Sequence, residues 1–428
     1  MAEEIKKKQS EALNKDKFFG GTCKSSLIEI FKLYEGINSQ NITENEKRSI
    51  FEQELDKFIS ASKIETAEYI KRLTNNPELR EYGLNSLYIG YDSLNYDNVG
   101  RLRDIFINDF DVIQSESEGK MKMTVPVDQR IFYDNGNINP NLHFDFSRIK
   151  TIYDYAKEHG KQIKHHELLW HNSVPENLII ELKRIDDPSQ KRNMALKFLN
   201  YYYEKLAVFL KEYDVRQIDA LNEIASDDIA SNNIYRQSFW KDMIGNNPLN
   251  GEEYFIDVLR IIRNNFPDTE LIYNEYNEFY EEKCNKICKI IKYIQSKEHD
   301  GEKLIDGLGL QAHYRDYLPG FDRMLTPEDI ERTALKFAQL GMPIYITEFD
   351  FINTKNSDIS KLLETFVNTY GNIASGFNTW GNSDELTWDH CLGPDGKTLN
   401  PHIVDTNGNK KPIFNVLKAK FSKSSNKE

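Results

Sequence analysis

Short apolar, β-branched runs alternate along this chain with longer stretches in which apolar residues recur every three or four positions. The first pattern suits strands of a parallel sheet buried on both faces, and the second suits helices laid over them. The strand-like runs fall near residues 18–21, 110–115, 162–170, 217–222, 270–274, 307–311, 343–348 and 376–380. Helical spacing fills most of the gaps: 147–158 precedes the third run, 192–213 the fourth and 326–339 the seventh. Eight strands alternating with helices predict an α/β fold, the (β/α)8 TIM barrel. Such barrels run past about 250 residues as one domain, so residues 1–428 are read as a single barrel domain.

One connection is too long for a single barrel helix. Residues 23–104 are read as a helical insertion within the domain, following the first strand and so close to the face where barrel loops carry function. Inside it, Thr43-Glu44-Asn45-Glu46 has the spacing of a capping box, ahead of Ile50, Phe51, Leu55, Phe58 and Ile59 on one helical face.

Charge and composition narrow the partners. The net charge of −13 argues against nucleic acid, because phosphate binding needs a basic face. No run reaches the roughly 18 apolar residues of a membrane span, so no membrane partner is expected. The N-terminal segment lacks the apolar core of a secretory signal. The expected compartment is the cytoplasm, or outside the cell if a signal has been removed. The four cysteines, Cys23, Cys284, Cys288 and Cys391, do not have paired metal-ligand spacing, and in the cluster His165, His166, His171 the spacing of the third residue is arbitrary for a metal site. Neither metal nor cofactor is expected, and the oligomeric state stays open.

Barrel chemistry sits at the C-terminal ends of strands, and two glutamates end strand-like runs there. Ile218-Asp219-Ala220-Leu221-Asn222-Glu223 closes on Asn-Glu, and Ile344-Tyr345-Ile346-Thr347-Glu348 closes on Glu. On the fourth and seventh strands they would face each other across the barrel mouth. Glycosidic hydrolysis needs such a pair, one carboxyl to protonate the leaving oxygen and one to attack the anomeric carbon or activate water.

Ordered motifs around these glutamates resemble the family 10 glycoside hydrolases, best known as endo-β-1,4-xylanases. The family's Gly-His-Thr-Leu-Val-Trp-His is similar to His165-His166-Glu167-Leu168-Leu169-Trp170-His171, and its Trp-Asp-Val-Val-Asn-Glu to the run ending at Glu223. Asp306-Gly307-Leu308-Gly309-Leu310-Gln311-Ala312-His313 resembles Asp-Gly-Ile-Gly-x-Gln-x-His, and Ile346-Thr347-Glu348-Phe349-Asp350 resembles Ile-Thr-Glu-Leu-Asp. Trp380-Gly381, Asp384 and Trp388 resemble the closing strand, and Asn274-Glu275-Tyr276-Asn277 resembles Asn-Asp-Tyr-Asn. The resemblance implies a retaining hydrolase that cleaves β-1,4-xylosidic linkages in xylan or xylo-oligosaccharides by double displacement, with that saccharide as its partner. It implies Glu223 as general acid/base and Glu348 as nucleophile, with carboxyl groups about 5–5.5 Å apart. His313 would hydrogen-bond Glu348, held by Asp350. Glu116, Lys120, His166, Asn222 and Gln311 would contact sugar or nucleophile, Asn222 through the 2-hydroxyl of the −1 sugar. Trp170, Trp380 and Trp388 would wall the cleft, leaving Trp240 to the core.

Departures from the family pattern open two further readings. Its Glu-Asn-x-x-Lys appears as Glu116-Ser117-Glu118-Gly119-Lys120, and a family Gln falls at Ser173. Two hydrogen bonds to a −2 sugar would be lost, at about 0.5–1.5 kcal/mol each. The same mechanism on another β-glycan, or on short oligosaccharides, is therefore an alternative. A reading of another class is a non-catalytic glycan-binding or inhibitor protein on the same barrel. His165 and Glu167 replace the family's Gly and Thr, a change the sequence does not explain.

Overall fold

The computed structural model describes residues 17–422, apart from 75–90, 92, 134–135, 229–231, 246–253, 300, 316–323, 353–358, 382, 388–390 and 393–397. Its strands in chain order are β1 Phe18–Cys23, β2 Val112–Ser115, β3 Gln162–His165, β4 Leu169–Trp170, β5 Val215–Asn222, β6 Glu270–Glu275, β7 Gly307–Leu310, β8 His313–Arg315, β9 Ile344–Ile352 and β10 Ala374–Thr379. Parallel pairing runs from β1 through β2, β3, β5, β6, β7 and β9 to β10, which pairs back to β1. The sheet therefore closes into the expected eight-stranded barrel, with helices around it. The two short strands continue the third and sixth barrel positions, β4 pairing with β5 and β8 with β9.

All the strand-like runs become strands, with shifted ends. The run at 162–170 divides into β3 and β4, and β9 continues past Glu348 to Ile352 because β8 gives it a partner beyond the barrel. Helix Ser147–Glu158 lies where the spacing puts it. Helix Pro188–Leu210 starts earlier than expected, since Asp187 accepts from the N–H groups of Ser189 and Gln190 and proline takes the first turn.

The barrel interior changes character along its axis. Phe18, Val112, Ile272 and Tyr345 form an apolar plug of their own. Further along the strands the buried side chains turn polar: Gln114, Lys164, Asp219, Asn274 and Thr347. A lysine and an aspartate persist there because they are paired, the Lys164 ammonium donating to Asp219.

Between β1 and β2 stand helices Ser25–Asn38, Glu44–Thr74 and Tyr96–Asp109. Phe31 of the first packs on Phe106 and Tyr155, which ties it into the helical ring. The capping box forms: Glu46 Oε2 accepts from the Thr43 N–H at 2.8 Å, and Thr43 Oγ1 from the Glu46 N–H at 3.3 Å. Of the face expected to bury, Phe51 and Leu55 do so, but Ile50 is 37% exposed. The helix docks along a narrow stripe, with Phe51 edge-on to Tyr34 and Tyr96 and Arg48 reaching Asp97. Among the described residues, no helix is long and apolar enough to cross a membrane.

Candidate active site

Strand β5 delivers Glu223 to the rim. The residue sits just past the strand with φ of 58°, its N–H donating to the Asn274 carbonyl at 2.9 Å and its own carbonyl accepting from Arg236 at 2.8 Å. Its carboxyl accepts from the Trp170 indole at 2.8 Å and from the Gln311 amide at 3.1 Å. Trp240, expected in the core, is indeed buried, and it braces the site by donating to the Trp170 carbonyl at 2.9 Å.

Strand β9 delivers Glu348, which is almost fully buried. One oxygen accepts from Asn274 Nδ2 at 2.6 Å and the other from His313 Nε2 at 3.2 Å. Asn274 is oriented from three sides. Its oxygen accepts from the Thr347 hydroxyl at 2.6 Å, and its amide also donates to Asn222 at 2.9 Å. A side chain on Gly309 would place Cβ 2.5 Å from the Asn274 oxygen, so only glycine admits this approach. Gln311 donates to Asn222 at 3.3 Å as well as to Glu223. Three amides therefore connect the two glutamates across the barrel mouth.

Two histidines flank Glu348. His313 donates through Nδ1 to Asp350 at 2.8 Å. Burial alone would strip its second proton, but Asp350 and Glu348 outweigh this and raise its pKa to about 10. His166 lies 3.8 Å from Glu348, with Nδ1 2.9 Å from Asp219 and Nε2 3.0 Å from Glu167. Here too burial is outweighed, by Glu167, Glu348 and Asp219, and the pKa rises to about 9. Burial would raise the Asp219 pKa, but Lys164 and His166 hold it low. His166, Asp219 and Glu348 bring ligand atoms within 4.8 Å of one another, close enough for an ion. Both His166 nitrogens and Asp219 are already engaged with charged partners, so the trio reads as an ion-pair network.

The remaining expected residues divide. The Lys120 ammonium lies 4.6 Å from the centre of the Trp170 ring and 5.8 Å from that of Trp380. Trp380 meets His166 and His313 edge-on. Glu116 is buried in an ion pair with Lys24 at 3.1 Å. Trp388 lies outside the described residues. The sequence reading assigned no role to Asn274, Asp219, Lys164 or Glu167. Lys164 and Asp219 were detectable in principle, as charges inside strands that are otherwise buried.

Comparison with known proteins shows the family. A family model for glycosyl hydrolase family 10 matches residues 82–420. The chain belongs to that family. The family 10 match begins after β1 and helices Ser25–Asn38 and Glu44–Thr74. Endo-1,4-beta-xylanase A of Caldicellulosiruptor saccharolyticus is 24% identical over 341 residues, 75% of this chain and 90% of that protein. Beta-1,4-xylanase of Dictyoglomus thermophilum is 27% identical over 289 residues, 63% of this chain and 74% of the relative. Among solved structures, an endo-1,4-beta-xylanase from Caldicellulosiruptor owensensis superposes with a TM-score of 0.59 at 21% identity, covering 80% of this chain and 98% of that one. Native xylanase 10B from Thermotoga maritima gives 0.57 at 23% identity, covering 76% and 90%. The barrel is the family 10 fold.

Proposed function

We propose that this family 10 glycoside hydrolase cleaves β-1,4-xylosidic linkages in xylan or xylo-oligosaccharides with net retention at the anomeric carbon. The observation that carries the reading is the pair Glu223 and Glu348, joined by Asn222, Asn274 and Gln311 at one barrel mouth. Glu348 attacks the anomeric carbon while Glu223 donates a proton to the departing glycosidic oxygen. Glu223 then takes a proton from the water that displaces Glu348. His313, backed by Asp350, orients the attacking carboxylate and steadies its charge. The Lys120, Trp170 and Trp380 group forms the wall against which a pyranose ring would lie. The names of the curated relatives favour a xylan substrate.

Azide rescue tests the assignment. With an aryl xyloside, Glu348→Ala should lose roughly 10⁴-fold or more in kcat, and azide should restore turnover as the inverted, α-configured glycosyl azide. Glu223→Ala with azide should give the β-azide. The same product from both variants, or full activity in Glu348→Ala, would exclude these roles. Ser117 and Ser173 motivate a relaxed −2 subsite, and an exclusive preference for xylo- over cello-oligosaccharides would contradict that part.

A further inference from the structure

We propose that Glu167 is a positioning residue whose carboxylate keeps His166 doubly protonated, fixing a cation beside Glu348. The ring is hydrogen-bonded at one end and ion-paired at the other. Asp219 lies 2.9 Å from Nδ1 and Glu167 3.0 Å from Nε2. A neutral imidazole would leave one ring nitrogen without its proton at 2.9 or 3.0 Å from an anionic oxygen. His166, Asp219 and Glu167 are all buried, so water does not screen that repulsion. Two protons on the ring remove it.

The neighbours support the same charge assignment. Lys164 donates to Asp219 and keeps it ionised. Burial would favour a protonated Glu167, but His166, Lys120 and the Ser173 hydroxyl together hold its pKa low. His165 is pushed down to about 3, by burial first and by the adjacent His166 next, so it stays neutral and adds no rival cation. Glu348 faces the ring at 3.8 Å, and the edge of Trp380 closes the remaining side. Without the Glu167 charge, a neutral ring bonded only to Asp219 becomes acceptable, and the cation is no longer compelled. Glu348 would then lose one of the two cationic rings beside it and keep its bonds from Asn274 and His313.

Nitrogen-15 NMR of the histidine rings, from about pH 5 to about pH 10, tests this directly. In the intact protein both His166 nitrogens should be protonated near neutral pH. In Glu167→Gln the ring should lose a proton at least about tenfold more readily, a midpoint about one pH unit lower. The alkaline limb of kcat/KM should move with it, and Glu167→Asp should recover part of the shift. A neutral His166 ring in the intact protein near pH 7, or an unmoved midpoint in Glu167→Gln, would overturn the proposal. Should Glu167→Gln fail to fold, the spectrum of the intact protein still decides. Only the kinetic arm rests on Glu348 as nucleophile. An inactive protein with a doubly protonated His166 would sink the hydrolase reading and leave this one standing.

Discussion

Glu348 illustrates how much a single carboxylate depends on its donors. Buried, it has Asn274 and His313 as hydrogen-bond donors and His166 close by. Removing one charge-assisted donor forfeits about 1.5–3 kcal/mol. His313→Ala is therefore expected to lower kcat/KM roughly 10- to 100-fold, with a smaller loss for Asp350→Asn, where the ring keeps its bond to Glu348. Steady-state kinetics on xylo-oligosaccharides would check the order of the two effects. The two glutamates proposed as catalytic were legible in the sequence because each closes a strand-like run. Asn274 was quoted in a motif yet given no role, because its importance lies in touching two other strands, and strand-to-strand contact is not visible in local pattern. Glu167 was visible only as a departure. Its meaning needed the distance to His166.

At the scale of elements, glycine and aromatic positions carry the argument. Gly309 of β7 lets Asn274 of β6 lie flat against the neighbouring strand. Gly309→Ala should displace that amide by a fraction of an ångström, and misplacement of about 1 Å can reduce rates about 100-fold. A fall of that order in kcat, with far-UV circular dichroism unchanged, is the expected outcome. The helices between β1 and β2 belong to a different layer. We propose that residues 23–104 stabilise a single catalytic domain from outside the cleft. Phe51→Ala should then release helix Glu44–Thr74 at a cost of about 3–5 kcal/mol. Amide exchange near residues 44–60 should accelerate while kcat stays within about twofold. Lost activity in that variant would place the insertion in the cleft. The capping box in this segment was legible because it is strictly local. The exposure of Ile50 was not, since helical spacing gives a face but not the width of the stripe a neighbour covers.

Over the whole molecule, the eightfold alternation foretold the barrel because strand burial and helix amphipathicity repeat with different periods. The polar upper barrel was only faintly legible, because its charges are few and scattered over separate strands. That layer makes stability depend on pH. His166 and His313 have folded pKa values of about 9 and about 10, above the roughly 6.5 of an unfolded histidine. Their stabilisation is fully present below about pH 6.5 and is lost as pH rises through those folded values. Asp219 and Glu167 act in the opposite sense, contributing above the unfolded carboxylate range and weakening as acid protonates them. Thermal melts should show Tm falling between about pH 7 and about pH 10, with a shallower fall in His313→Gln. Equal slopes in both proteins would exclude His313 as a source.

Glu223 shares its backbone shape with Ala312 and Asn277, all with φ between 57° and 58°. A residue with a side chain loses about 1–2 kcal/mol in this conformation, which glycine adopts freely. At Ala312 a designer could recover part of that by substituting glycine. At Glu223 the same remedy would delete the side chain proposed as proton donor. The strain at Glu223 is thus one that the chain cannot shed without losing the carboxyl proposed to drive turnover.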